Sequence, residues 1–203
     1  MEKLFEKHPD AGAAFCRCIY IDENGKWLQI TGIEKYEDGI IPNFIERIAV
    51  AQRIQTPAMV VRRDVYEKIG GFDRRLDWIE DWEMWIRIAH KFPILFLNDV
   101  LAEYRVHDGT TTHHILLGGN SIEMHRKFIK IVDAYFEKET LKKIRRQRAF
   151  EQAKLFLQSL RQIDEHINRK TYFRYILRTI QLSKHPKVLF RTLQLLYDNI
   201  LIN

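Results

Sequence analysis

The sequence predicts an α/β fold over residues 1–118, followed by a helical region over residues 119–203. In the first part, short apolar segments typical of strands alternate with longer segments whose apolar residues recur at helical spacing. All nine glycines precede Ser121, as expected where turns separate strands and helices. Beyond Ser121 the chain has no glycine and a single proline, and its pattern is helical almost throughout. This change of composition places the predicted domain boundary.

The individual elements follow from apolar patterning and from turn residues. Residues 1–8 are predicted to form the end of a helix, which cannot continue past Pro9. Residues 13–21 and 27–31 are rich in aromatic and β-branched residues and flank the turn sequence Asp-Glu-Asn-Gly, so they predict a hairpin. The remaining predictions are helices over 42–51, 64–69 and 80–91, strands over 54–61, 94–97 and 102–106, and a loop over 108–120 that contains His113 and His114.

Composition indicates a folded protein. Hydrophobic residues make up 46% of the chain and aromatic residues 12%, which excludes a disordered chain. No apolar run approaches the roughly 20 residues that span a bilayer, and no signal-like apolar segment follows Met1. Cys16 and Cys18 share one face of a predicted strand and are expected to be buried free thiols, because a metal site would need more ligands. These observations predict a soluble protein in a reducing compartment, the cytoplasm.

The net charge of +6 is unevenly distributed. Residues 140–203 carry 14 Lys and Arg against 4 Asp and Glu, whereas the rest of the chain is acidic. The tail also has amphipathic stretches, in which Arg and Lys interleave with Tyr172, Phe173, Ile176, Leu177 and Ile180. Two interpretations stay open: these helices pack on the rest of the protein, or they lie peripherally on the anionic inner face of a membrane. No nucleic-acid-binding motif accompanies the charge, so nucleic acid is not an expected partner.

Four short motifs in a fixed order are the most informative part of the sequence. They are Gln-Thr-Pro-Ala-Met-Val-Val-Arg-Arg at 55–63, Gly-Gly-Phe-Asp at 70–73, Trp-Ile-Glu-Asp-Trp at 78–82 and Tyr-Arg-Val-His at 104–107. Each motif alone is weak, but the four in this order and at this spacing are specific. Over about residues 9–107 the chain resembles the acceptor-side, C-terminal part of a family 2 glycosyltransferase with the GT-A fold.

The resemblance covers only the C-terminal half of a GT-A glycosyltransferase unit. The family's metal-binding Asp-x-Asp motif is not in the sequence, and neither is a P-loop or a Gly-rich phosphate fingerprint. The resemblance therefore implies an incomplete GT-A unit that lacks its N-terminal nucleotide-binding half. It also implies that the complete enzyme uses a divalent metal, Mn or Mg, and that this chain alone holds none tightly and is inactive alone.

The acidic pair Glu80-Asp81 is the predicted catalytic centre. In the family, the second acid of this pair is the base that takes the proton of the acceptor hydroxyl, and its neighbour orients the acceptor. The resemblance gives these roles to Asp81 and Glu80. A carboxylate in the first turn of a helix is stabilised by free N–H groups and by the helix dipole, which favours its ionised form. The alternative is that Glu80, Asp81 and Glu83 only favour a helix N-terminus.

Four further residues are predicted to bind substrate. Trp78 offers an aromatic face to a sugar ring, whereas Trp82 and Trp85 fit the core stripe of their helix. Gln55 opens the first motif. Arg105 and His107 project from one face of a strand end, and the resemblance places them near the nucleotide diphosphate, with His107 also approaching the metal. The alternative for both is simple packing or surface placement.

The resemblance implies an inverting transfer of a sugar from a nucleotide-diphosphate donor to an acceptor hydroxyl. Acceptors in the family are often growing polysaccharides or lipid-linked glycans. A hypothesis of another class also stays open, in which the chain is a non-catalytic binding or interaction module derived from such a domain.

Overall fold

The structure is a computed structural model that describes residues 1–107, 109–118 and 121–163, together with scattered positions between 173 and 192. Four of the nine positions of the predicted amphipathic stretch at 172–180, Tyr172 among them, lie outside the described residues. Its contact with a membrane therefore stays a prediction. Within the described part of the chain, no helix has the length and apolar character needed to cross a bilayer.

One open sheet forms the centre of the fold. Its strands are β1 (Ala13–Ile21), β2 (Trp27–Ile30), β3 (Gly39–Ile40), β4 (Met59–Val61) and β5 (Ile94–Arg105). The order is β2-β1-β5-β3, and β4 also pairs with β1. β1 runs parallel to β5, whereas its pairings with β2 and β4 are antiparallel, as is that of β3 with β5. The β1–β2 pairing confirms the predicted hairpin.

Seven α-helices lie within residues 1–163, and helical positions also occur among the described residues between 173 and 192. The seven helices are α1 (Glu2–Lys7), α2 (Phe44–Val50), α3 (Arg63–Ile69), α4 (Glu80–Lys91), α5 (Thr111–Gly118), α6 (Ser121–Asp133) and α7 (Lys138–Ile163). The predicted helix over 80–91 is confirmed with the same bounds. The fold is thus a mixed α/β arrangement of one sheet and several helices.

Three predicted elements were wrong in detail. The two strands expected over 94–106 are one strand, β5, because irregular register where Arg17 pairs with Val100 lets it continue past Asn98 and Asp99. The segment expected as a loop over 108–120 contains helix α5. The strand expected over 54–61 is shorter, because a 3₁₀ turn (Thr56–Ala58) that contains Pro57 comes before β4 begins.

The main core lies where α4 packs on the sheet and on α2. Phe15 of β1 stacks on Phe44 of α2 at 5.3 Å between ring centroids, and Trp82 and Trp85 of α4 are buried, which confirms their predicted core position. The same core includes Phe128 and Val132 of α6 and Ile144 of α7. Helices on both sides of the predicted boundary at 118/119 therefore share one core, and the division into two domains stays a prediction. Cys16 and Cys18 are buried free thiols, as expected.

A buried arginine connects α7 to two other helices. Arg148 donates from Nη1 to Asp133 Oδ1 at 2.7 Å and from Nε to the carbonyl oxygen of Ala49 at 2.7 Å. Arg145 donates from Nε to the other oxygen of Asp133 at 2.8 Å. Removing one partner of such a buried pair leaves an uncompensated charge, so this network fixes α7 against α2 and α6.

Candidate functional site

A pocket of about 580 Å³ opens where β1 and β5 end and α4 begins. Its volume is within the usual range of small-molecule sites. Ligand sites in α/β folds commonly lie at the carboxyl ends of parallel strands, which is where β1 and β5 meet here. The pocket is lined by Tyr20, Gln52, Gln55, Thr56, residues 77–82, Tyr104, Val106, residues 110–112 and His125. It brings together four predicted site residues: Gln55, Trp78, Glu80 and Asp81.

Asp81 is held in this pocket by three hydrogen bonds. Thr56 donates from Oγ1 to Asp81 Oδ2 at 2.8 Å, and Gln52 donates from Nε2 to the same oxygen at 3.3 Å. The backbone N–H of Trp82 donates to Oδ1 at 2.6 Å, as expected for a carboxylate at a helix N-terminus. The carboxylate plane is therefore fixed from two sides, by the 3₁₀-turn segment and by α4 itself.

Burial raises the pKa of Asp81 above its ordinary value, against the opposing effect of the hydrogen bonds from Thr56 and Trp82. The position at a helix start favours the ionised form, as the sequence indicates, but loss of solvent outweighs it. The ionised form of a carboxyl group with a raised pKa is a stronger base than an ordinary carboxylate. This is the property that a general base near neutral pH requires.

The residue before the acidic pair has an unusual backbone. Ile79, the N-cap of α4, lies in the left-handed region at φ 58° and ψ 20°. A β-branched residue rarely adopts this conformation, which costs on the order of 1–3 kcal/mol. Its carbonyl oxygen accepts the first helical hydrogen bond, from the N–H of Glu83 at 3.1 Å. The turn at Ile79 thus directs both Glu80 and Asp81 to the pocket wall.

Aromatic side chains form much of the wall. Trp78 donates from Nε1 to Thr112 Oγ1 at 3.1 Å, and its ring meets the ring of His125 edge-on at 5.3 Å. Tyr20 and Tyr104 pack edge to face at 5.5 Å. Gln55 donates from Nε2 to the hydroxyl of Tyr20 at 2.7 Å. These contacts fix the rings before any ligand binds.

Arg105 and His107 are not among the described residues that line the pocket. Arg105 donates from Nη1 to the carbonyl oxygens of Asp22 and Glu23, both at 2.9 Å, which ties the end of β5 to the hairpin turn. The Nδ1 atom of His107 accepts the N–H of Gly109 at 3.1 Å. The intervening Val106 lines the pocket instead. The predicted roles of Arg105 and His107 at the diphosphate therefore stay predictions.

A metal centre is not built by the residues that the structure describes. They contain no group of three or more His, Cys, Asp or Glu side chains that could hold an ion. His107, the predicted metal ligand, has Nδ1 occupied by the N–H of Gly109. These residues by themselves do not fit the divalent metal that the resemblance implies.

Sequence reasoning missed several residues of the pocket. Gln52, Thr56 and Thr112 hold Asp81 and Trp78, and His125 reaches the same pocket from α6. Thr56 belongs to the first motif, but nothing local pointed to its contact with Asp81, 25 residues away. Such contacts depend on how the 3₁₀ turn and α4 pack, which a sequence pattern does not show.

An ion pair behind the pocket anchors α4. The carboxylate of Glu83 is fully buried and accepts Arg87 Nε at 2.9 Å and Tyr135 Oη at 2.5 Å. Arg87 also donates to the carbonyl oxygens of Ile69 at 2.6 Å and of Gly71 at 2.7 Å. This network joins α4 to the turn that follows α6 and to the Gly-Gly turn that follows α3. Burial and the Glu83 hydrogen bond raise the pKa of Tyr135, which keeps its hydroxyl a donor.

Comparisons with known proteins give two partial matches, and no protein-family model matches the chain. The chain is 29% identical over 107 residues to an uncharacterized glycosyltransferase of Methanocaldococcus jannaschii, over 51% of this chain and 35% of that protein. It is 35% identical over 52 residues to an uncharacterized glycosyltransferase of Rickettsia typhi, over 26% of this chain and 16% of that protein. The chain thus spans about a third and about a sixth of these relatives. The matches support a relationship to glycosyltransferases.

Asp81→Asn is expected to increase the free energy of unfolding at pH 7. The folded-state pKa of Asp81 is raised, so the ionised group disfavours folding at neutral pH, and this cost disappears below the unfolded value of about 3.9. The advantage of the variant should therefore shrink as the pH falls toward 4, measured by urea unfolding. A variant that is less stable than wild type at pH 7 would instead identify Asp81 as a helix-capping acid.

Proposed function

We propose that this chain is the acceptor-side part of an inverting, family 2-like glycosyltransferase with an incomplete GT-A unit. The observation that carries the proposal is the Asp81 carboxylate, fixed by Thr56 and Gln52 inside an aromatic-walled pocket and raised in pKa. A partly buried, oriented carboxylate of this kind suits proton abstraction from a hydroxyl group. Both partial relatives are named as glycosyltransferases, and we propose that this chain belongs to an enzyme that transfers a sugar to a hydroxyl group, a reaction in which such a base takes the proton.

In the proposed step, an acceptor hydroxyl oxygen attacks the anomeric carbon of the donor sugar. The new carbon–oxygen bond forms as the bond to the leaving diphosphate breaks, and the hydroxyl proton passes to Asp81. Glu80 orients the acceptor, and Trp78 and Gln55 contact its sugar ring. Arg105 and His107 act on the leaving diphosphate. The divalent cation is left out of this step, because the described residues offer no ligand group for it.

The proposed setting follows from the resemblance. The acceptor is a growing glycan or a lipid-linked glycan, and the enzyme works in the cytoplasm, with its basic tail at the anionic inner face of a membrane. The rival function is a binding module without catalysis. The two differ in whether the pocket performs chemistry or only holds a ligand.

The test is a transfer assay on the polypeptide that the natural gene encodes, including any sequence upstream of Met1. Nucleotide-diphosphate sugars and simple glycoside acceptors are incubated with it, and the product is analysed by NMR. The proposal predicts a new glycosidic bond whose anomeric configuration is opposite to that of the donor. A retained configuration would contradict the inverting mechanism, and no transfer with any donor would favour the binding module.

The chain alone is expected to bind nucleotide sugars weakly or not at all, with dissociation constants no tighter than the millimolar range. The proposal assigns donor binding to a half that this sequence does not contain, and the pocket has no Lys or Arg among its described lining residues to pair with a diphosphate. Isothermal titration with UDP and GDP sugars in the presence of manganese measures this. Sub-micromolar affinity would show that the donor site is present after all.

A further inference from the structure

We propose that the pocket takes an uncharged glycosyl unit and discriminates against acceptors that carry a carboxylate, sulfate or phosphate at that unit. This inference rests on the proposed function, because it names the class of acceptor that the Asp81 pocket binds. It follows from the charges, rings and hydrogen-bonding groups that the pocket presents.

The ionisable side chains of the lining are acidic. Asp77, Glu80 and Asp81 all line the pocket, and none of the other described lining residues is Lys or Arg. An anionic group that entered would meet three carboxylates, and the described lining residues include no Lys or Arg to pair with it. Arg178 acts electrostatically on His125 but is not among these lining residues. Like charges brought together in a partly dehydrated site reduce affinity, and the reduction is larger than it would be in open solvent.

His125 does not supply the missing positive charge. Its ring is buried, and it meets the rings of Trp78 and Trp82 edge-on at 5.3 and 6.4 Å. Its Nδ1 lies 2.9 Å from the carbonyl oxygen of Ser121. Burial lowers the pKa of His125 to about 4, so the ring is neutral at pH 7.

The start of α4 is already partly occupied by a carboxylate of the protein itself. Free N–H groups at a helix N-terminus are common sites for phosphate and carboxylate ligands. Here the N–H of Trp82 already donates to Asp81 Oδ1 at 2.6 Å, and the N–H of Glu83 donates to the carbonyl oxygen of Ile79. The helix end therefore serves the protein's own carboxylate.

The remaining lining suits a neutral sugar. The rings of Tyr20, Trp78 and Tyr104 offer apolar surface for the C–H faces of a pyranose. Amide and hydroxyl groups of Gln52, Gln55 and the Thr-rich entry to α5 offer hydrogen-bonding partners for its hydroxyls. Burial raises the pKa of Tyr20 to about 12, so its hydroxyl adds no charge near neutral pH.

The experiment uses the whole chain labelled with 5-fluorotryptophan and observed by ¹⁹F NMR. Trp78→Phe identifies the resonance of Trp78 among those of the four tryptophans. The labelled protein is titrated at pH 7 and low salt with methyl glucoside and methyl galactoside, and with the corresponding methyl uronides. The neutral glycosides should move the Trp78 resonance, and the uronides should bind at least about five-fold more weakly.

Two variants with the same change of charge sharpen the test. Asp77→Asn removes one carboxylate from the pocket and should reduce the ratio of the affinity for the neutral glycosides to the affinity for the uronides. Asp99→Asn removes an exposed carboxylate of β5 that does not line the pocket, and should leave the ratio unchanged. Equal or tighter uronide binding in the wild type would overturn the selectivity while leaving a sugar site in place. No response of Trp78 to any glycoside would contradict the sugar site and the proposed function together.

Discussion

Asp81→Asn in the complete enzyme is expected to lower turnover by about 10²-fold or more while leaving donor affinity unchanged. The carboxylate would take the acceptor proton as the new bond forms, and a positioned general base typically contributes 10²–10⁴-fold to the rate. Asparagine has a similar shape, and its single carbonyl oxygen can keep the hydrogen bond from the N–H of Trp82. Its NH₂ group then faces the Thr56 hydroxyl, which can accept a hydrogen bond as well as donate one, so the pocket should keep its form. Steady-state kinetics with varied donor and acceptor measure the effect.

The matched control for this variant is Asp99→Asn, which makes the same chemical change at an exposed carboxylate outside the pocket lining. Its turnover should equal that of wild type. We expect Asp81→Asn to stay folded, because removal of a partly buried charge favours the folded state, and its urea unfolding curve separates loss of activity from unfolding. Near-normal turnover of Asp81→Asn would show that Asp81 has a structural role and is not the catalytic base.

Glu83→Ala is expected to destabilise the chain by about 3–5 kcal/mol, the usual cost of removing one partner of a buried ion pair. The variant leaves the Arg87 guanidinium without its carboxylate and the Tyr135 hydroxyl without its acceptor. Urea unfolding followed by tryptophan fluorescence gives the change in free energy, since Trp82 and Trp85 on the same helix are buried.

Glu67→Ala is the control for this prediction. It removes the same side chain from an exposed position on α3 and should change stability by no more than about 0.5 kcal/mol. Tyr135→Phe removes one hydrogen bond and keeps the ion pair, so its loss of unfolding free energy should lie between those of Glu67→Ala and Glu83→Ala. A Glu83→Ala protein as stable as the Glu67→Ala protein would show that the network does not hold α4.

Elements with a strong local signal could be predicted from the sequence. The hairpin has β-branched strands around an Asn-Gly turn, and α4 has its apolar residues at helical spacing and ends before Pro93. The prediction of Asp81 at a helix start rests on the same local pattern. In contrast, the two-residue strand β3 has no pattern long enough to recognise, and it exists because Ile40 pairs with Leu95.

The environment of the site could not be predicted in this way. Asp81 meets Thr56 and Gln52, Trp78 meets Thr112, and His125 arrives from a helix beyond the predicted domain boundary. Each contact joins segments far apart in sequence, so it depends on tertiary packing. The same holds for the pKa of Asp81, which the helix position alone would lower and which burial raises.

The most direct test of Asp81 as a poised base is a titration of its side-chain carboxyl carbon by ¹³C NMR in the whole chain. We expect the pKa of Asp81 to lie above the ordinary value of about 3.9. The pKa should rise further in Thr56→Val, because this variant loses a hydrogen bond to the ionised form. The chemical shift of the Asp81 carboxyl carbon should change when a neutral methyl glycoside saturates the pocket. The carboxyl of Asp99 should not respond to the glycoside. An Asp81 carboxyl that titrates at or below its ordinary value and ignores the glycoside would contradict the account.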